Sequence, residues 1–192
     1  SLHDSPRDLI PILLKYLGLD PDTTDVSQYD KAAALVAPMR EYVRAFDNEN
    51  YLNGLPNGEV CAVMAWSGDY AVAKARAESA GLSLNLAYAV PKTGAPLWFD
   101  VMAVPVDAPN KANAHAFLNY LMKPEVIAKC TNFIGYANAN KAATALVDPS
   151  ISGDPAVYPD AATKERLFTL APMTPEQEEA LTRTWTEIKT GG

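Results

Sequence analysis

Cysteine and histidine are scarce in this chain of 192 residues, which has two of each. Two cysteines are too few for a disulfide scaffold, and Cys61 and Cys130 are too far apart for a CxxC motif. His3 and His115 lack the spacing of metal ligands, so we expect no metal and no cofactor. Because Cys61 lies in an apolar stretch, we expect it to be a buried small hydrophobe. A disulfide to Cys130, or to a cysteine upstream of this chain, is the alternative.

Long apolar runs and an excess of positive charge are also missing. No apolar run approaches the ~20 residues that a membrane span needs, and no basic, cleavable leader is visible at the N-terminus. The net charge of −7 argues against nucleic acid and anionic membranes as partners, and it is compatible with a cationic ligand. With 48% hydrophobic residues, the chain is long enough for one good core or two small lobes.

Capping residues and apolar periodicity predict a series of helices. Ser5 is expected to cap the first, with Asp8 completing a capping-box-like pair and Gly18 ending the helix. A second helix is predicted from about 28 to 44, with Pro38 as a break or kink. The remaining helices are predicted from Ser67 or Gly68 to Gly81, from 110 to 122, from 124 to 133 and from 174 to 189.

Apolar stretches between these helices predict strands at 59–65, 82–90 and 97–104. Strands that alternate with helices over short connections indicate an α/β fold. Trp66 then lies at a strand-to-helix turn, and in open α/β sheets ligands bind outside the carboxyl ends of the strands.

Two short sequence motifs each contain a tryptophan and an aspartate. Trp66 and Asp69 are three residues apart, about one turn if a helix begins there. Trp98 and Asp100 are two apart, so a strand would point both side chains to the same side. An aromatic face attracts a cation, and a carboxylate accepts its N–H donors. Two such pairs could hold a molecule with an amine at each end.

These two motifs belong to an ordered set that spans essentially the whole chain. The set resembles the C-terminal part of the periplasmic polyamine-binding proteins, the putrescine/spermidine receptors of bacterial ABC importers. The motifs that carry the resemblance are Tyr16-Leu17-Gly18, Asn57-Gly58-Glu59-Val60-Cys61, Trp66-Ser67-Gly68-Asp69, Phe99-Asp100-Val101, Phe117-Leu118-Asn119-Tyr120-Leu121, Tyr136-Ala137-Asn138-Ala139-Asn140-Lys141 and Arg183-Thr184-Trp185-Thr186.

The resemblance implies a periplasmic-binding-protein-like (type II) fold, in which two α/β lobes close over a cleft by hinge bending. Residues 1–80 would belong to the second lobe, 81–137 to the first lobe with its crossing strands, and 138–192 to the second lobe again. Family members are longer, so an N-terminal segment of the same protein would be missing here. The implied location is the periplasm, and the implied partners are a polyamine and the membrane permease of the importer.

The resemblance also implies a set of ligand contacts. Asp100 matches a carboxylate that grips one terminal amine, while Trp98 falls where some relatives have Phe and would make the pocket tighter. Asp8 falls where putrescine receptors carry a Glu, so its carboxylate is about one methylene shorter. The full set of implied contacts is Trp66, Asp69, Trp98, Asp100, Tyr136 and Asp8.

Each of these contacts has a structural alternative. Trp66 could cap the sheet as a core residue, and Tyr136 could be a packed aromatic with a satisfied hydroxyl. Asp69 and Asp8 could simply stabilise helix N-termini, which is worth ~0.3–1 kcal/mol.

Other functions are also open at this stage. A glycoside hydrolase would use two carboxylates between aromatic platforms, but the sequence has no nucleophile elbow and no Gly-rich phosphate loop. The same fold could instead bind an amino acid, a sugar or a metal chelate. Because two carboxylates facing two rings favour cations, we expect a polyamine receptor and not an enzyme.

Overall fold

The computed structural model describes residues 1–191, which are mainly helical. Of the break or kink predicted at Pro38, the structure shows the break, because the second helix ends at Val36 and the chain continues as a 3₁₀ helix. The other predicted helices are confirmed to within a few residues. The α-helices are α1 (Pro6–Tyr16), α2 (Tyr29–Val36), α3 (Tyr51–Gly54), α4 (Ser67–Ser79), α5 (Lys111–Leu121), α6 (Pro124–Ile134), α7 (Pro149–Ser152), α8 (Ala161–Lys164) and α9 (Pro175–Thr190), and 3₁₀ helices cover Val26–Gln28, Ala37–Tyr42 and Lys141–Leu146.

Helices α1, α2 and α9 form the main hydrophobic core. Ile10 and Leu14 of α1 are fully buried, and they share one apolar cluster with Val36 of α2 and Ile188 of α9. Trp185 of α9 belongs to the same cluster. This core holds α1, the helix that carries Asp8, firmly beside the segment that begins the chain.

The helix ends are capped in different ways. Thr174 and Gln177 form a true capping box at the start of α9, with hydrogen bonds of 2.9 and 3.3 Å between each side chain and the other's backbone N–H. The side chain of Ser5 makes no capping hydrogen bond, so the capping-box prediction for α1 is wrong. Pro6 begins α1 instead, and its ring has no N–H that needs a partner.

The first residues of the chain lie in extended conformation between two other extended segments. Backbone hydrogen bonds of 2.9–3.1 Å join Leu2 to residues 45–47 on one side. On the other side the N–H of Met64 donates to the carbonyl of Ser1 at 2.9 Å. This pairing places His3 in the interior, immediately behind the turn into α4.

The predicted strands do not form a sheet in the structure. Within residues 1–191 the chain forms isolated bridges, Leu2 with Phe46 and Pro96 with Phe168, and no longer ladder. A strand requires a neighbour that exchanges backbone hydrogen bonds with it, and no described segment lies beside most of 82–90 or 97–104. These predictions were therefore wrong for the chain by itself, although the segments have the apolar side chains of strands.

Apolar side chains on the unpaired segments face solvent. Leu84 is 44% exposed, Phe99 is 64% exposed and Val101 is 84% exposed. Such a run of exposed apolar residues marks an interaction surface, since monomeric proteins rarely leave one uncovered.

A second, smaller cluster fixes the loop after α6. Ala128 of α6 packs with Ala143 and Val147. The side-chain amide of Asn138 donates a 2.9 Å hydrogen bond to Thr131 Oγ1 in α6. The loop that carries Tyr136 is therefore anchored at both ends.

Both cysteines are free thiols. Cys61 is exposed and Cys130 is half-buried, so the prediction of a buried Cys61 is wrong. Cys61 and Ala62 are exposed, whereas Met64 further along the same segment packs against the main core. Among residues 1–191 the structure contains no helix with the length and apolarity of a membrane span.

Candidate functional site

The turn into α4 brings an indole and a carboxylate together, as the sequence predicted. Trp66 is the extended residue that precedes α4, and Asp69 lies in the first helical turn. Both side chains are half-buried and line the same open hollow. The free N–H groups of the first turn favour a negative charge at this position, so the helix itself stabilises the Asp69 carboxylate.

Two tyrosine hydroxyls hold the Asp69 carboxylate. Tyr51 donates a hydrogen bond to Oδ2, and Tyr136 donates one of 3.2 Å to Oδ1. Burial raises the pKa of both tyrosines well above the usual range, and the hydrogen bond and negative charge of Asp69 raise it further. Both phenols therefore stay protonated and donate, while each carboxylate oxygen keeps a free lone pair for a cationic N–H.

Asp47 places Tyr51. Its Oδ2 accepts a 3.0 Å hydrogen bond from the N–H of Tyr51, and its Oδ1 accepts one of 3.1 Å from the N–H of Glu49. Burial opposes ionisation of Asp47, but these backbone donors hold its pKa below the usual value. The Asp47 carboxylate thus accepts hydrogen bonds from backbone N–H groups at the start of α3, which have no acceptor within the helix, and it fixes the helix that carries Tyr51.

Gly68 allows the close approach of Tyr136 to α4. A Cβ atom at position 68 would lie 2.1 Å from Cε2 of Tyr136, which is not physically possible. Gly135 has φ of +75° and directs the chain out of α6 towards this contact. The two glycines therefore decide where the Tyr136 hydroxyl meets Asp69.

His3 lies behind Trp66 on the interior side. The two ring centroids are 4.1 Å apart, and the ring of Tyr51 lies 5.9 Å from His3. Burial lowers the pKa of His3, while the charges of Asp8, Asp69 and Asp47 act in the opposite direction. Asp8 thus acts on this cluster from α1 through its charge.

The remaining predicted residues lie on the unpaired segments. The Asp100 charge makes a small contribution to the raised pKa of Tyr136. Its neighbour Trp98 is 46% exposed. Among the described residues, the structure brings Trp66, Asp69 and Tyr136 into one hollow, whose lining does not include Trp98 or Asp100. The ligand roles of all of them stay predictions.

Sequence reasoning missed several residues that build this site. Tyr51 and Tyr88 are distant in the chain from Asp69, and burial together with the Asp69 charge raises the pKa of Tyr88. Gly68 could have been found, because a glycine in the first turn of a helix is a costly choice unless space is short. Among residues 1–191 no group of three or more His, Cys, Asp and Glu side chains is arranged to hold a metal ion.

Comparison with known proteins identifies the family. The family model described as bacterial extracellular solute-binding protein matches residues 1–159. The chain belongs to this family of bacterial extracellular solute-binding proteins, and the resemblance inferred from its motifs is confirmed.

The chain is also similar over its whole length to putrescine-binding proteins of other bacteria. The chain is 41% identical over 192 residues to the putrescine-binding periplasmic protein PotF of Escherichia coli, covering 100% of this chain and 52% of that protein. It is 40% identical over 191 residues to the putrescine-binding periplasmic protein SpuD of Pseudomonas aeruginosa, again covering 100% of this chain and 52% of the relative. The chain therefore spans about half the length of these curated relatives.

A solved structure establishes the fold. The spermidine/putrescine ABC transporter substrate-binding protein PotD of Streptococcus pneumoniae superposes with a TM-score of 0.85 at 24% sequence identity, covering 99% of this chain and 57% of that chain. This confirms the predicted periplasmic-binding-protein fold, of which the chain provides about half.

Proposed function

We propose that the protein containing this chain binds a polyamine, putrescine or spermidine, in a cleft between two lobes and delivers it to an ABC importer from the periplasm. The observation that carries the proposal is the Asp69 carboxylate, fixed by two tyrosine hydroxyls beside the Trp66 ring. Relatives named as putrescine-binding proteins support it. Solute binding and transport, not catalysis, is accordingly the proposed activity.

The arrangement suits an alkyl ammonium group. The indole of Trp66 offers a face to the cation and the methylene chain, and Asp69 accepts its N–H donors. A desolvated cation–π contact contributes up to ~2 kcal/mol and a charged hydrogen bond ~1.5–3 kcal/mol. Two amines held in this way approach the ~8 kcal/mol of a micromolar complex before the cost of lobe closure.

The second amine needs a second carboxylate, and Asp100 is the proposed one. It lies on the exposed segment 97–104, and its negative charge contributes to the raised pKa of Tyr136. We assign 1–80 and 138–192 to one lobe and 81–137 to the other, with Gly192 outside the described residues. In this assignment the exposed apolar segments 82–90 and 97–104 pair with strands from the half of the fold that this chain does not contain. Trp98 and Asp8 would complete the cleft.

Titration calorimetry tests the proposal. The chain is titrated with putrescine and with spermidine, alone and after mixing with the remaining half of the relatives' fold produced as a separate polypeptide. Binding that requires the mixture supports a two-lobed receptor. Absence of binding from a mixture that is folded by circular dichroism would overturn the polyamine assignment.

Matched variants locate the site. Asp69→Asn and Asp100→Asn each remove one charge without changing shape, and each is expected to weaken putrescine binding at least tenfold, as about 1.4 kcal/mol per contact requires. Asp107→Asn removes an exposed carboxylate that makes no hydrogen bond in the described part of the chain and serves as the control. Equal affinities for all three variants would refute the assigned carboxylates.

A cationic amino acid is the second candidate ligand. The exposed Arg76 of α4 lines the same hollow and donates a 2.6 Å hydrogen bond to Asn53. A guanidinium at this rim could hold the carboxylate of arginine or lysine. Displacement of bound putrescine by arginine, lost in Arg76→Gln, would favour this ligand class over a plain polyamine.

A further inference from the structure

Among the described residues, His3 is a buried group near the candidate site whose polar atoms have no role in the binding described above. The residue is 1% exposed, and neither ring nitrogen has a hydrogen-bond partner among the described residues. A buried unpaired polar group costs free energy, so a histidine at this position requires an explanation. Its ring packs on the indole of Trp66 at 4.1 Å between centroids.

The groups that surround His3 come from every neighbouring element. The charges of Asp8 on α1, Asp47 in the turn before α3 and Asp69 on α4 act to raise the pKa of His3, and the ring of Tyr51 stacks on it at 5.9 Å. Asp4, next to His3 in the chain, pairs with Lys189 at 2.9 Å and is thereby engaged elsewhere. Three carboxylates therefore attract a proton to His3, and burial without hydrogen-bond partners opposes it.

We infer that His3 is a positioning residue for Trp66, and that the amine-binding wall is intact only while the imidazole is neutral. An imidazolium at this place would make its own cation–π contact with the Trp66 indole and so weaken the attraction of that ring for the ligand ammonium. Its positive charge would also offset the negative charge of Asp69. It would also bury two N–H donors with no acceptor, which favours displacement of the ring from its place behind Trp66. The inference rests on the proposed function for its ligand and on the packing for its mechanism.

The direction of the effect follows from linkage. Burial lowers the pKa of His3 in the free protein, so the imidazole is neutral above the ordinary histidine range. A bound dication nearby lowers that pKa further, because like charges repel. Polyamine affinity is therefore constant at higher pH and falls as the pH drops through the pKa of the ligand-free protein. Each unit by which the ligand lowers the pKa corresponds to about a tenfold loss of affinity.

Two measurements on the intact chain, mixed with its complementary half where binding requires it, test the inference. Nuclear magnetic resonance follows the His3 imidazole and the Trp66 indole N–H from about pH 7.5 to about pH 4, because burial lowers the pKa of His3 below the ordinary histidine value of about 6.5. Calorimetry measures putrescine affinity at the same two limits. His3→Phe keeps an aromatic ring behind Trp66 but cannot be protonated. His115→Phe, at the exposed second histidine on α5, is the control.

The expected result is that the Trp66 indole shifts with the same midpoint as His3, and that putrescine affinity falls below that midpoint. His3→Phe is expected to abolish both changes, and His115→Phe to leave both. A Trp66 signal that stays constant while His3 titrates would overturn the inference, and this readout on the unmodified chain needs no variant to fold. If putrescine binds at neither pH, the proposed function fails, whereas coupled titration of His3 and Trp66 would still establish the positioning role.

Discussion

The ring of Tyr136 lies directly on the α-carbon of Gly68, where a Cβ atom would be 2.1 Å from Cε2. This contact connects the first turn of α4 with the loop after α6. It sets the position from which the Tyr136 hydroxyl reaches Asp69. The carboxylate of the candidate site is thus held by a packing relationship that a single methyl group would break.

Replacing Gly68 with alanine is expected to displace Tyr136 and destabilise the chain. Overpacking a tight contact typically costs about 1–3 kcal/mol, and the hydrogen bond to Asp69 would be lost with it. Urea unfolding measures the change in stability, and calorimetry with putrescine measures the change in affinity. Gly54→Ala is the control, because a Cβ at Gly54 of α3 meets its nearest neighbour at an ordinary 3.6 Å. Equal stability of the two variants would contradict this packing.

Tyr51→Phe is expected to loosen Asp69 without leaving a cavity. The variant removes only the hydroxyl that donates to Asp69 Oδ2, and a hydrogen bond to a charged group contributes about 1.5–3 kcal/mol. Stability in urea should fall by an amount within that range. Tyr42→Phe removes the same atom from a ring that is 80% exposed and should change stability by less than about 0.5 kcal/mol. If Tyr51→Phe left the stability in urea unchanged, Asp69 would not depend on this donor.

The same tyrosines predict a loss of stability in alkali. The pKa of Tyr51 and of Tyr136 is raised in the folded chain, so above the ordinary tyrosine pKa the unfolded chain releases protons that the folded chain retains. Their contribution is complete below about pH 9 and declines as the pH rises through about 10. Urea midpoints measured below about pH 9 and above about pH 10 give the decline in stability. It should be smaller in the double variant Tyr51→Phe/Tyr136→Phe than in Tyr16→Phe/Tyr42→Phe, which alters exposed rings.

The local part of the site could be predicted from sequence, and the long-range part could not. Trp66 is the residue before α4 and Asp69 is the third residue of that helix, so the local turn into α4 is enough to bring them together. Tyr51 reaches Asp69 from a separate helix, and Tyr136 reaches it across the contact with Gly68. No spacing rule encodes such contacts, because they depend on how α3, α4 and the loop after α6 pack together.

The fold shows the same division. Helices satisfy their own backbone hydrogen bonds, so their periodicity and capping were sufficient to predict α4 and α9. Strands depend on partners, and the apolar segments 82–90 and 97–104 find few within residues 1–191. The prediction of strands identified the right side chains, but a ladder also needs a neighbour beside each segment.

The exposed segments therefore predict where a protease cuts first. Chymotrypsin cleaves after aromatic residues, and Trp98 and Phe99 are 46% and 64% exposed on a segment without strand partners. Trp185 is 9% exposed within α9 and should resist, because cleavage there requires unfolding of the main core. Mass spectrometry of early fragments identifies the order of cleavage. Mixing the chain with the complementary half of the relatives' fold should slow the cut at Trp98 and leave the rate at Trp185 unchanged or lower. A cut at Trp98 that proceeds equally fast in a folded mixture would mean that the complementary half does not cover this segment.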